Sequence, residues 1–195
     1  SQTDVLESAS KNEPQLGLET LNINYDKLHG RGGAFLVTPV DEGKVFSREQ
    51  FSEDHKMFDQ AAREYGENRL LEVREDLNVL NKDLSLEIFK EMGELGFLST
   101  DVPEEFGGLA LDKTTSCIIV DALTSGRNAS ILVTSSAHTG IGMLPIVWYG
   151  NHDQKEKYLP KMASGEWMGS YALTESGAGS DALSGATTAE LNDEG

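Results

Sequence analysis

The stretch Trp167-Met168-Gly169-Ser170-Tyr171-Ala172-Leu173-Thr174-Glu175-Ser176-Gly177-Ala178-Gly179-Ser180-Asp181 decides how the chain is read. Its first half alternates. Trp167, Gly169, Tyr171 and Leu173 share one side, and Met168, Ser170, Ala172 and Thr174 the other, the period of a strand. Its second half is a loop of glycines and serines. In such a loop backbone N–H groups can approach a planar or anionic ligand without side-chain interference, and Thr174 and Ser180 add hydroxyls. Taken alone, Gly-Ala-Gly-Ser is an ordinary turn composition. Glu175 admits two readings, a general base or a carboxylate that orders the turn through backbone N–H groups, and we adopt the second. Asp181 reads as a cap or turn acceptor.

Upstream of Gly165 the apolar period is helical. Ser47 and Ser52 are N-cap residue types followed by acidic residues. Phe51, Phe58, Ala61, Ala62, Tyr65 and Leu70 then predict one long helix to about Arg74. Leu84, Ile88, Phe89, Met92 and Leu95 form the stripe of a second helix, which Gly96 ends as a C′ residue. Phe97 to Leu109 has no helical period and is rich in Pro and Gly, so it reads as an ordered loop. Asp112 caps a third helix, Lys113 to Thr124. A fourth is expected over Ser130 to Ser136, a fifth over Gly142 to Tyr149, and a sixth from Asn151 or Asp153 to Ala163. The fold class is therefore mainly α, with the first strand of a β domain at the end. Residues 1–45 form an extended or flexible arm, 46–164 an all-α domain, and 165–195 the truncated start of the β domain. In the arm, Gly30-Arg31-Gly32-Gly33 has neither a preceding strand nor a following Lys-Ser/Thr pair, as a phosphate loop would require.

Composition narrows the function. The 195 residues carry a net charge of −17, from 16 Lys+Arg against 33 Asp+Glu, which excludes nucleic acid and anionic membrane surfaces as expected partners. The single cysteine, Cys117, allows no internal disulfide and points to a reducing, cytoplasmic location. Its apolar neighbours Ile118, Ile119 and Val120 suggest a buried structural thiol. Ser1-Gln2-Thr3-Asp4-Val5 resembles no signal or transit peptide, and no apolar run approaches the length of a membrane span. The start without Met and the end at Gly195 read as cuts. His29, His55, His138 and His152 have no ligand spacing, so no metal site is expected. His138 reads as a satisfied core or pocket-wall histidine, and Ile131, Val133, Leu144 and Ile146 as mainly helix core, with some of them as wall of an apolar pocket.

The string Tyr171 to Asp181 resembles the signature of the acyl-CoA dehydrogenase family, in which an aromatic residue, two small or apolar residues and Thr-Glu precede a Pro-Gly-Ala-Gly-Ser-Asp-like loop. Asp153-Gln154-Lys155-Glu156-Lys157-Tyr158-Leu159-Pro160-Lys161-Met162 is similar to the family's preceding helix. Gly93-Glu94-Leu95-Gly96-Phe97 with Pro103-Glu104-Glu105-Phe106-Gly107-Gly108 is similar to its earlier helix and loop. The wording from Gln154 to Ser164 is closest to the long-chain and very-long-chain branch. The resemblance implies a helical domain, a middle β domain and a C-terminal bundle, with FAD between the last two. It implies that Tyr171, Leu173, Thr174, Gly179 and Ser180 contact FAD and that Ser180 also lies near acyl-CoA. It further implies a carboxylate base in a C-terminal domain that this chain lacks, an electron-transfer flavoprotein or similar acceptor, and a homo-oligomer. The region around His138 would approach the acyl chain. Ser176 stands where the family usually has Pro, which frees φ and restores an N–H but removes no ligand group. Two other readings stay open: a flavin oxidase on the same fold, such as an acyl-CoA oxidase or a nitroalkane oxidase-like enzyme, and a non-catalytic helical interaction module.

Overall fold

The computed structural model describes residues 47–190, so the arm expected over residues 1–45 lies outside the described residues. The chain divides into two compact units at Phe51. The described part of the first is a 3-10 turn, Arg48–Gln50, closed by a capping box between Ser47 and Gln50.

The second unit is helical. Helix α1, Glu53–Tyr65, starts at Ser52, whose hydroxyl accepts the His55 N–H while His55 Nδ1 accepts the Ser52 N–H, both at 3.2 Å. His55 Nε2 donates to the Asp112 carboxylate at 3.0 Å. Asp112 in turn accepts the Thr115 N–H at 2.9 Å, at the head of a later helix, Lys113–Leu123. One His–Asp contact thus joins the starts of two helices that pack along each other. The helix expected to about Arg74 forms as one helical run that passes through a π turn, Gly66–Leu70, and breaks only at Val73, before a short α2, Arg74–Asn78. Leu70 and Val73, three apart, both face the core.

Helix α3, Lys82–Glu94, buries Ile88, Phe89 and Met92, while Leu95 stands outside the expected stripe at 46% exposure. It ends as its Gly96 predicts. The Phe97 N–H returns to Met92 O at 2.9 Å, the Gly96 N–H to Gly93 O at 3.0 Å, and Gly96 has φ +77, a Schellman motif. The following loop is ordered by backbone bonds such as Ala110 N–H to Val102 O at 2.9 Å. Helix α4 is Lys113–Leu123. Its buried row is Thr115, Ile118, Ile119 and Ala122, and Cys117 lies one position off it. Cys117 is exposed, not buried.

Asn128 caps α5, Ala129–Ala137, which continues through a second π turn, His138–Gly142, into α6, Leu144–Tyr149. The expected fourth and fifth helices are thus one run of 21 residues, long and apolar enough by length and composition to cross a membrane. The polar residues between Thr134 and Gly140 hid that length in the sequence. Its middle is tied to the rest of the domain through His138, described below, while only 28% of its most apolar stretch is buried. Asn151 caps α7, His152–Ala163. Two apolar clusters result, one around Leu70, Phe89, Leu98 and Leu123, the other around Val102, Phe106, Met143 and Leu159.

The mainly α class holds. The strand expected over about Trp167 to Leu173 does not form. Among the described residues the only β pairing is an isolated bridge between Glu175 and Ala178. A strand exists only through its ladder, and no other described segment supplies one.

Candidate functional site

The site segment leaves α7 pressed against α3. Gly165 has φ +74, and a Cβ there would stand 2.3 Å from Phe89 O. The Trp167 N–H then returns to Lys161 O at 2.9 Å, and the Lys161 ammonium lies 4.4 Å from the Trp167 ring centroid.

His138 holds the next step. It is wholly buried, edge-on to Phe89 with ring centroids 5.3 Å apart. Its Nδ1 accepts the Gly169 N–H at 2.9 Å and its Nε2 faces Met162 O at 3.0 Å. Those partners assign the proton to Nε2 in a neutral ring. Burial pushes its pKa down, and the bond to Met162 O opposes this in part. It is a satisfied core histidine, as its sequence context suggests.

Beyond Gly169 the side chains turn outward. Tyr171 is 53% and Leu173 48% exposed, and Thr174 is exposed too. The Glu175 N–H donates to Ala178 O at 3.0 Å and the Ala178 N–H to Glu175 O at 3.2 Å, closing a two-residue turn on Ser176 and Gly177. This bridge sets Thr174 opposite Gly179. The Glu175 carboxylate accepts the Ala186 N–H at 2.7 Å and the Thr187 N–H at 3.1 Å. Hydrogen bonds from the Thr187 side chain, then from the two N–H groups, hold its pKa below the usual range. Glu175 therefore orders the turn rather than waiting as a base. The Asp181 carboxylate accepts the Ser184 hydroxyl at the head of a 3-10 turn, Ala182–Ser184. The turn closes with Ser176 in place of Pro.

The two glycines of the turn have no structural reason among the described residues. A Cβ on Gly177 or Gly179 would meet nothing within 4 Å, and neither residue has a left-handed φ. The hydroxyls of Thr174 and Ser180 have no partner among the described residues. The turn thus presents bare backbone and two unengaged hydroxyls to open space, beside the exposed Tyr171 and Leu173. That arrangement fits a large planar or anionic group approaching from outside.

A second feature lies on the outer side of α4 and α5. Val120, Thr124, Leu132, Val133, Ser136, Ala137, Gly140 and Ile141 line an open apolar groove of about 490 Å³. The resemblance had already brought Ser136, Ala137 and Gly140, around His138, near the acyl chain, and Val133 was read as helix core or tunnel wall. Val133 is 68% exposed, whereas Ile131 is buried and Leu144 and Ile146 are half-buried. Val120, Thr124, Leu132 and Ile141 were not placed there, because α5 carries apolar residues on more than one face. Among the described residues no three His, Cys, Asp or Glu converge as metal ligands.

Residues 52–166 match the family model for the acyl-CoA dehydrogenase N-terminal domain. The chain belongs to the acyl-CoA dehydrogenase family. It is 44% identical over 165 residues to a probable acyl-CoA dehydrogenase of Bacillus subtilis, covering 85% of this chain and 27% of that protein. A match of that length is longer than the run from Ser52 to Gly195, so it takes in part of the segment before Ser52. The crystal structure of an acyl-CoA dehydrogenase complexed with FAD from Bacillus anthracis superposes with a TM-score of 0.76 at 47% identity, over 84% of this chain and 28% of that one. A structure described as the electron transferring flavoprotein of Acidaminococcus fermentans aligns with a TM-score of 0.65 at 32% identity, over 75% of this chain and 38% of that one. This acyl-CoA dehydrogenase domain therefore spans little more than a quarter of the first two relatives.

Proposed function

We propose that the chain supplies the helical N-terminal domain and the first flavin-contacting stretch of an FAD-dependent acyl-CoA dehydrogenase, which converts fatty acyl-CoA thioesters to trans-2-enoyl-CoA. The observation that carries this reading is the turn at Thr174–Ser180. On a domain of this family it leaves Gly177 and Gly179 open to space and the Thr174 and Ser180 hydroxyls unengaged. Tyr171 and Leu173 would pack against the cofactor, Thr174 would donate to the isoalloxazine, and Gly179 would admit the pyrophosphate to its backbone. Ser180 would serve both FAD and acyl-CoA. FAD held by these residues would supply the acceptor for the β hydrogen as hydride. The α proton needs a carboxylate base; Glu175 is engaged with backbone, and the family resemblance would put the base in a C-terminal domain outside the 195 residues. The apolar groove beside Ala137 and Ile141 would take the acyl chain. An electron-transfer flavoprotein as acceptor, a homo-oligomeric assembly and a cytoplasmic location complete the proposal.

Substitution at the turn tests it in the complete protein. Gly179→Val should abolish FAD retention, because its side chain would occupy the space in front of the backbone donors. Thr174→Ala should cost one hydrogen bond, about 1 kcal/mol or roughly five-fold in FAD affinity. Flavin absorbance after purification is the measurement, and a Gly179→Val protein with stoichiometric FAD overturns the assignment.

A further inference from the structure

The stretch carrying Tyr171, Leu173 and Thr174 is held by little. From Met168 to Thr174 the only hydrogen bond among the described residues is the one from the Gly169 N–H to His138 Nδ1, at 2.9 Å. His138 also opens the π turn of the Ala129–Tyr149 helical run, and Ala137 and Gly140 on the same run line the apolar groove. The residue that holds Gly169 therefore sits on the helical run that lines the groove. A second contact shares the load. A Cβ on Gly142 would lie 2.9 Å from Gly169 C, so two backbones meet there with no room for a side chain. The bond to Met162 O at 3.0 Å fixes the ring from the other side.

An apolar residue would fill this buried position without a polar group to satisfy. The imidazole instead accepts the Gly169 N–H, which has no other partner among the described residues, and adds a bond to the Met162 C=O, which already accepts the Gly165 N–H at 3.1 Å. We infer that His138 is a positioning residue that ties the wall of the acyl groove to the flavin-contacting segment, and so sets the reach between acyl chain and flavin. This rests on the flavin reading of the turn. His138 itself touches neither ligand. It acts through Gly169, five residues before Thr174, and through the helix wall on which it sits.

Three substitutions in the complete flavoprotein separate positioning from mere packing. Asn carries an acceptor as many bonds from Cβ as Nδ1, so His138→Asn keeps the bond from Gly169. His138→Gln places a donor where Nε2 was, so it keeps the bond to Met162 instead. His138→Leu keeps neither. In the Gln and Leu variants, the peptide over residues 166–174 should exchange its amide hydrogens about ten-fold faster. Flavin should stay bound with an altered visible circular dichroism band. Its reduction by saturating acyl-CoA should slow about ten-fold or more, with KM changed only about two-fold, because misplacement penalises the step and not the binding. His138→Asn should restore exchange protection and bring the reduction rate to within about three-fold of the parent, while melting as low as the Gln variant.

If the Asn and Gln variants share one reduction rate, or if rate follows melting temperature across the series, the positioning role is wrong. Should the Leu variant not fold, the Asn and Gln pair still decides. If Gly179→Val and Thr174→Ala alter the flavin but all His138 variants match the parent, this inference alone falls. If those two substitutions also leave the flavin unchanged, the flavin reading falls and takes the inference with it.

Discussion

His138 and Glu175 are titratable groups whose atoms are taken up by backbone partners. Both roles were legible, because a charged residue beside a Gly-rich turn, or a histidine within an apolar helix, has few ways to be satisfied. Cys117 was misread because an apolar run does not give its phase; only α4's packed row shows that position 117 faces out. The buried state of His138 has a pH consequence. Its Nδ1 lone pair is occupied by the Gly169 N–H, and burial holds its pKa below the ordinary value. The unfolded chain protonates near pH 6.5, whereas the folded chain resists. Below about pH 6.5 the unfolded state thus binds more protons, and stability falls as pH drops until the folded-state pKa is passed. Above it this group contributes no pH dependence. Urea midpoints of the parent and of His138→Asn between pH 8 and pH 5 check this. The parent should lose stability more steeply below about pH 6.5, and parallel curves would sink the idea.

At the scale of elements, helix starts were legible in part. Ser52, Asp112 and Asn151 accept an N–H from the first turn as their type and place predict, because Asn, Asp and Ser are the side chains shaped for that task. Asn81 and Asn128 cap in the same way but were not singled out, since those helices were expected to start a few residues later. The π turns carried no comparable signal, which is why two expected helices merged. The strand over about Trp167 to Leu173 failed for another reason. Alternation shows which residues could share a face, but a strand also needs a neighbour. Gly165 tests the packing of these elements. Its φ of +74 and the 2.3 Å from a would-be Cβ to Phe89 O make Gly165→Ala strained twice over. A left-handed Ala costs about 1–2 kcal/mol and an overpacked contact about 1–3, so a loss of about 2–5 kcal/mol is expected. Gly177→Ala meets nothing within 4 Å and should stay within about 0.5 kcal/mol of the parent. Chemical denaturation of both distinguishes them, and equal losses would mean that α3 and the end of α7 do not meet as described.

For the whole molecule, the family was legible because its loop signature and flanking helices lie inside the chain. The groove was legible only in part: the stretch around His138 was expected near the acyl chain, but one face of α5 is indistinguishable from another until α4 packs on it. The 195 residues by themselves hold one side of the proposed flavin site, with Tyr171 and Leu173 about half exposed and no ladder partner beside them among the described residues. Val133, Ile141, Trp148 and Tyr149 are between 55% and 84% exposed. Two effects then compete. Apolar contact between copies would gain about 25 cal/mol per Å² removed from water, whereas a net charge of −17 keeps copies apart. At low salt the charge acts over tens of ångströms, but at physiological ionic strength its range falls to about 8 Å, within which contact has already begun to bury surface. The isolated chain should therefore sediment as a monomer at about 10 mM salt and associate as salt rises. Desalted from excess FAD, it should carry no flavin fluorescence and should not reduce an artificial acceptor with a long-chain acyl-CoA. A mass that does not change with salt would show that the exposed faces do not adhere. Retained flavin with turnover above a flavin-only blank would show that these residues complete the site, and the proposal that the base lies beyond this chain would be wrong.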